Sequence, residues 1–152
     1  MKILIIFFLL LTNLLAYQKG DIISDDMASY LGLKEDKVYV IDFFASWCAS
    51  CKKEIPLISE VNKKIDSSKV EIIGINVDKD INIGLEFQKS LKADGHLNFR
   101  VINDPQNLVI AEFNPIGMPT LYYIKNNKIL EIITGAVDDI DKIIFNDLQR
   151  MK

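Results

Sequence analysis

The chain has 152 residues, enough for one domain with a hydrophobic core and too few for two domains of ordinary size. Its formal net charge is -3, from 18 basic and 21 acidic side chains, so nucleic acid is not an expected partner. Hydrophobic residues make up 49% of the chain and charged residues 26%, a balance typical of a globular protein.

The N-terminus has the pattern of a secretory leader. Lys2 precedes the apolar residues 3–11, and the segment ends at the small residue Ala16. The apolar stretch is shorter than the roughly 20 residues that span a membrane, which favours cleavage over the alternative of an uncleaved anchor. We therefore predict a signal peptide over residues 1–16, a folded domain over residues 17–152, and a location in the periplasm or another extracytoplasmic space.

Hydrophobic periodicity predicts alternating helices and strands after the leader. A first helix is expected from Ser24, with Gly32 near its end. The later elements, in chain order, are a buried strand (38–45), a helix (48–65), a buried strand (70–77), a helix (81–92), a short strand (98–102), one or two helical turns (107–113), a hairpin (121–124 and 129–133, with Asn126-Asn127 as its turn) and a last helix (137–148). This order predicts an α/β fold whose sheet is covered by helices on both faces, parallel early and antiparallel late.

Two helix faces are also predicted from the spacing. The expected inner face of the helix over 81–92 consists of Ile81, Leu85, Gln88 and Leu91. The expected solvated face of the helix over 48–65 contains Lys52, Lys53 and Glu54.

The two cysteines, Cys48 and Cys51, are three positions apart at the junction of a strand and a helix. A disulfide that closes so short a loop restrains little of the unfolded chain, so a reactive pair explains the spacing better than a structural one. A cysteine at the first turn of a helix lies near unpaired N–H groups and the positive end of the helix dipole, which stabilise a thiolate. Cys48 is thus predicted to attack a partner disulfide and Cys51 to resolve the mixed disulfide, with Trp47 shielding one side of the exposed sulfur.

Metal binding is the competing interpretation of the cysteine pair. A zinc site needs about four ligands, whereas the chain has no second cysteine pair and a single histidine, His96, expected in a loop. Copper(I) between the two thiolates stays open, because soft sulfur ligands select it. We predict neither a cofactor nor a resident metal.

Residues 40–56, VIDFFASWCASCKKEIP, resemble the active-site strand and helix of thioredoxin-fold proteins. They are most similar to the exported TlpA/ResA branch, which includes cytochrome c maturation reductases. The similarity continues through residues 72–78, 101–105 and 117–120. The resemblance implies a thioredoxin-like mixed sheet flanked by helices, with a helix–strand insertion over residues 81–102, before the proline of residues 117–120.

The same resemblance assigns roles to residues outside the cysteine pair. Pro119 matches the cis-proline that faces the active-site pair, and Met118 would then offer its backbone N–H and C=O to an extended partner segment. Trp47, Met118 and Pro119 are therefore the predicted substrate-binding residues.

Asp42 matches the buried aspartate of thioredoxin. Strand alternation places it in an apolar setting, where burial raises the pKa of a carboxyl and suits it to exchange a proton with Cys51. The alternative is an aspartate at a strand end that is hydrogen-bonded to backbone or water. Thioredoxin has a lysine on the neighbouring strand, and the matching position here is Gly74.

The resemblance implies an exported thiol–disulfide oxidoreductase that reduces disulfides in exported proteins, with a membrane electron donor that re-reduces its cysteine pair. Three alternatives stay open at this point. They are a disulfide oxidant, although a large helical insertion like that of DsbA is not evident, a non-enzymatic copper(I) chaperone, and a peptide-binding module without turnover.

Overall fold

The computed structural model describes residues 16–151, and its elements follow the predicted order. They are α1 (Asp25–Leu31), β1 (Val38–Phe44), α2 (Ala49–Asn62), β2 (Val70–Asn76), α3 (Ile81–Ala93), β3 (Arg100–Asn103), α4 (Leu108–Phe113), β4 (Thr120–Lys125), β5 (Lys128–Thr134) and α5 (Ile140–Arg150). The predicted leader lies outside the described residues, apart from Ala16. Within residues 16–151, each helix is too short or too polar to cross a membrane.

β1 is the middle strand of a five-stranded sheet with the order β3-β2-β1-β4-β5. β1, β2 and β3 are parallel to one another, whereas β4 is antiparallel to both β1 and β5. All seven residues of β1 are buried. Because successive residues of a strand point to opposite faces, this burial means that both faces of the sheet are covered. The α/β, thioredoxin-like fold class is confirmed, including the α3–β3 insertion.

The sheet topology brings three segments of the chain to one edge. β1 and β2 are parallel, so their carboxyl ends lie together. β4 runs the other way and begins at the same edge, where Thr120 pairs with Phe43. α2 starts five residues after β1 ends, so Cys48 stands at this edge between β1 and α2.

Local turn chemistry sets two of the predicted boundaries. The Ser24 side chain accepts the backbone N–H of Met27 at the start of α1, and Gly32 ends the helix in the left-handed region at a φ of 71°. Asn126 and Asn127 have φ values of 51° and 58° and connect β4 to β5. Both predictions are confirmed.

Two helix boundaries differ from prediction by three residues. α2 ends at Asn62, three residues early, and α5 begins at Ile140, three residues late. The late start has a structural cause, because the N–H of Val137 donates to Oε1 of Glu54 at 2.9 Å. Asp139 then adopts a left-handed φ of 59° just before the helix.

The predicted inner face of α3 is wrong at two positions. Ile81 and Leu85 are 42% and 46% exposed. α3 approaches the sheet through Gly84 instead, where a Cβ atom would lie only 2.3 Å from Oδ1 of Asn76. The close approach of a glycine turns the larger neighbours toward solvent. The buried residues of α3 are Gly84, Gln88 and Leu91.

Candidate active site

The predicted cysteine pair is present as a disulfide. The Sγ atoms of Cys48 and Cys51 are 2.05 Å apart, and their Cα atoms are 5.3 Å apart. Cys48 is 6% exposed and Cys51 is 1% exposed. Cys48 is therefore the more accessible of the two, as the predicted order of attack requires.

The backbone of α2 directs a hydrogen-bond donor at the first sulfur. Cys48 is the N-cap of α2, one position before the first helical residue, and its Sγ accepts the backbone N–H of Cys51 at 3.3 Å. The N–H groups of the first helical turn have no partner within the helix, and they carry the positive end of its dipole. In the reduced protein this donor would stabilise a thiolate at Cys48 more than a thiol.

Trp47 is 66% exposed, immediately before the cysteine pair. It lines an open groove together with the apolar residues Val77 and Ile83 and the polar residues Ser46, Asp78, Lys79 and Asp80. The position fits the predicted contact of Trp47 with a partner chain, and that role stays a prediction.

The predicted cis peptide bond between Met118 and Pro119 is confirmed. Pro119 directly precedes β4, whose first residue, Thr120, pairs with Phe43 of β1. The hydroxyl of Thr120 donates to the carbonyl oxygen of Gly117 at 2.6 Å and closes the loop. Met118 and Pro119 therefore lie at the sheet edge that carries Cys48, although their binding roles stay predictions.

Asp42 is buried as predicted, with 1% of its surface exposed. Its Oδ1 atom has no hydrogen-bond partner among the described residues. The residue opposite Asp42 on β2 is Gly74, so no cation faces it from that position. A Cβ at Gly74 would lie 2.6 Å from Cε1 of Phe44, so the phenyl ring fills the space of a side chain there.

Glu54 was not predicted as part of the site, and its predicted placement on a solvated face is wrong. It is 5% exposed, one helical turn beyond Cys51, whereas the neighbouring Lys52 and Lys53 are exposed as predicted. Its Oε1 accepts the N–H of Val137, and its Oε2 is buried without a partner among the described residues. The three-residue spacing from Cys51 is the signal that could have placed Glu54 on the buried side of the helix.

Asp42 on β1 and Glu54 on α2 are two buried carboxyl groups that interact electrostatically. Burial, and secondly the charge of Glu54, raises the pKa of Asp42 to about 8. Burial also raises the pKa of Glu54, and the hydrogen bond from Val137 opposes part of that rise. A pKa of about 8 favours the protonated form of Asp42 at neutral pH.

The zinc alternative requires about four ligands that the fold would have to bring together. His96 is exposed in the loop after α3, as predicted. Within residues 16–151, no group of three His, Cys, Asp or Glu side chains is arranged to hold a metal ion.

A protein-family model and several known proteins are similar to this chain. The model of the AhpC/TSA family matches residues 17–133. Thioredoxin-T of Drosophila melanogaster is 30% identical over 115 residues, which cover 76% of this chain and 56% of that protein. The thiol-disulfide oxidoreductase ResA of Bacillus subtilis (strain 168) is 29% identical over 100 residues, which cover 65% of this chain and 54% of ResA. The chain thus spans just over half of the length of these relatives.

Among solved structures, a thioredoxin-family thiol:disulfide interchange protein from Chlorobium tepidum TLS is similar along most of its length. It has a TM-score of 0.61 and 26% identity, and the match covers 80% of this chain and 84% of that one. This protein and ResA are both named for thiol–disulfide chemistry.

Proposed function

This chain belongs to the AhpC/TSA family, and on that premise we propose that it is an exported thiol–disulfide oxidoreductase that reduces disulfides in extracytoplasmic proteins through Cys48 and Cys51. The substrates in this proposal include the apoproteins of c-type cytochromes. The similarity to ResA and to a thiol:disulfide interchange protein supports the reaction class.

The observation that carries the proposal is the N–H of Cys51 at 3.3 Å from Sγ of Cys48. This donor is part of the helix backbone, so it is in place before the reaction begins. It favours the ionised form of the sulfur, which is the species that attacks a disulfide.

In the reducing direction, the thiolate of Cys48 attacks one sulfur of the partner disulfide. A bond forms between Cys48 and the partner, and the other partner sulfur leaves with the electron pair and takes up a proton from water. Cys51 then attacks Sγ of Cys48 and releases the second partner sulfur as a thiolate, which takes up a proton from water. The partner gains two electrons and two protons, and the protein ends with the Cys48–Cys51 disulfide, as in the described state.

Asp42 supplies the proton transfer that this cycle requires. When Cys51 attacks, its thiol loses a proton to the carboxylate of Asp42. When a dithiol donor later opens the Cys48–Cys51 disulfide, Sγ of Cys51 leaves as a thiolate and recovers the proton from Asp42. A pKa of about 8 keeps that proton on Asp42 in the oxidised protein at neutral pH.

The proposal assigns re-reduction to a dithiol electron donor in the membrane and export to the leader over residues 1–16. The mature N-terminus is measurable by mass spectrometry. A chain that begins at Tyr17 supports cleavage, whereas a chain that still begins at Met1 contradicts it.

The test of the proposed function is a trapping experiment with Cys51→Ala. Without the resolving sulfur, the mixed disulfide with Cys48 persists, and partners are released from it by reductant. We expect exported proteins with disulfide-bonded cysteines, and no such proteins with the control Cys48→Ala. Failure to trap such partners would contradict the proposal, as would a reduction potential near the oxidising value of about -120 mV.

A further inference from the structure

The carboxylate of Asp78, just beyond β2, is bonded to the turn that leads into the cysteine pair. Its Oδ2 accepts the backbone N–H of Ser46 at 2.9 Å, and its Oδ1 accepts the hydroxyl of Ser46 at 2.7 Å. A third donor, Nδ2 of Asn76, lies 2.8 Å from Oδ2. Asp78 is 4% exposed, so these bonds are largely shielded from water.

Ser46 stands two residues before Cys48, within a tight turn. The N–H of Cys48 donates to the carbonyl oxygen of Ala45 at 3.1 Å, so the turn closes around Ser46 and Trp47. The backbone pairing of β1 with β2 continues up to this turn, because the N–H of Val77 donates to the carbonyl oxygen of Phe44 at 3.0 Å. Asp78 thus continues the attachment between the two strands beyond their ends, by means of a side chain.

The insertion helix α3 packs against Asp78 and Asn76. At Gly84, a Cβ would lie 2.3 Å from Oδ1 of Asn76 and 3.3 Å from Cβ of Asp78. α3 therefore packs directly against Asp78, which is bonded to Ser46, and against Asn76, which is bonded to Asp78. A continuous series of contacts leads from α3 through Asn76 and Asp78 to the residue that precedes Trp47 and Cys48.

We propose that Asp78 is a positioning residue for disulfide exchange, held by the insertion helix and acting through Ser46 on the placement of Cys48. This inference rests on the proposed function. The backbone conformation of Cys48, the N-cap of α2, determines whether the N–H of Cys51 points at the Cys48 sulfur. That conformation depends on how the turn over residues 45–48 enters α2. Loss of the Asp78–Ser46 bonds frees the turn and lengthens the time that Cys48 spends away from its donor.

The test compares Asp78→Asn with the control Asp104→Asn in the full chain. Asp104 is also buried, at 2% exposed, and accepts the N–H groups of Leu108, Val109 and Ile110 at the start of α4. The two variants therefore remove equivalent acceptors, and only one of them is bonded to the turn before Cys48. The measurements are the rate of reaction of the reduced protein with oxidised glutathione, and the rate of Cys48 alkylation by iodoacetamide at pH 7.

We expect Asp78→Asn to lower both rates about tenfold and Asp104→Asn to change them less than about twofold. Equal effects of the two variants, or no effect of Asp78→Asn, would overturn the inference. Ser46→Ala is the milder second variant if Asp78→Asn fails to fold, because it removes one of the two donors of Ser46. It is expected to slow both reactions about threefold, and unchanged rates would again overturn the inference. If the wild-type protein itself fails to exchange with oxidised glutathione, the proposed function fails, whereas the alkylation rates still report on the positioning of Cys48.

Discussion

The substitution Asp42→Asn removes a buried carboxyl group while it retains the shape of the side chain. Burial, assisted by the charge of Glu54, raises the pKa of Asp42 from 3.8 to about 8 in the folded protein. In the unfolded chain an aspartate ionises near pH 3.9. Between these two values the folded protein holds a proton that the unfolded chain has lost, so the free energy of unfolding falls as the pH rises.

The expected size of this effect follows from the shift in pKa. One bound proton changes the free energy of unfolding by about 1.4 kcal/mol per pH unit, so the contribution of Asp42 falls by about 3 kcal/mol from pH 5 to pH 7. The contribution is complete below about pH 4 and is lost at about pH 8. Asp42→Asn has no proton to lose at this position, so it becomes more stable relative to the wild type as the pH rises.

The assay is urea unfolding of the two oxidised proteins from pH 5 to pH 9 at constant ionic strength. The difference in free energy between them isolates Asp42, because the other ionisable groups are common to both proteins. As a control, the two proteins should have equal m-values, which shows that they expose the same surface area on unfolding. If the two stabilities keep a constant difference from pH 5 to pH 7, Asp42 does not hold a proton in the fold and the reasoning is refuted.

Three further predictions concern neighbouring residues. Burial is the main cause of the raised pKa of Asp42 and the charge of Glu54 the second, so Glu54→Gln should move the pH midpoint of the same titration down. An unchanged midpoint would show that the charge of Glu54 does not act on Asp42. Gly74→Ala places a Cβ 2.6 Å from an aromatic ring and should lower the free energy of unfolding by about 1–3 kcal/mol, whereas the control Gly117→Ala meets no atom within 4 Å. Trp47→Ala should slow the reduction of a protein disulfide about tenfold and leave the reaction with oxidised glutathione unchanged, and an equal effect on both would exclude a role in partner binding.

The parts of the site that lie within short motifs were predictable from the sequence. Cys48 and Cys51 share a helix face because of their spacing, and the burial of Asp42 follows from the alternation of a strand that is apolar around it. The cis bond at Pro119 was predicted by resemblance, since Met-Pro alone indicates only a turn.

The parts that depend on packing between distant segments were not predictable. The spacing from Cys51 could have placed Glu54 on the buried side of α2, but its bond with the N–H of Val137 comes from a segment 83 residues away and leaves no local signal. The role of Asp78 was not predictable either, because its bonds to Ser46 join the ends of two strands that are far apart in the sequence. The face of α3 depends on Gly84, whose lack of a side chain has no weight in a hydrophobic pattern.

Titration of the Cys48 thiol in the reduced protein is the most direct test of this account. The rate of Cys48 alkylation is measured from pH 4 to pH 10, and mass spectrometry identifies the modified cysteine. The N–H of Cys51 and the start of α2 predict half-ionisation well below the ordinary thiol value of about 8.5. A midpoint at or above that value would contradict the central claim that the helix terminus activates this sulfur.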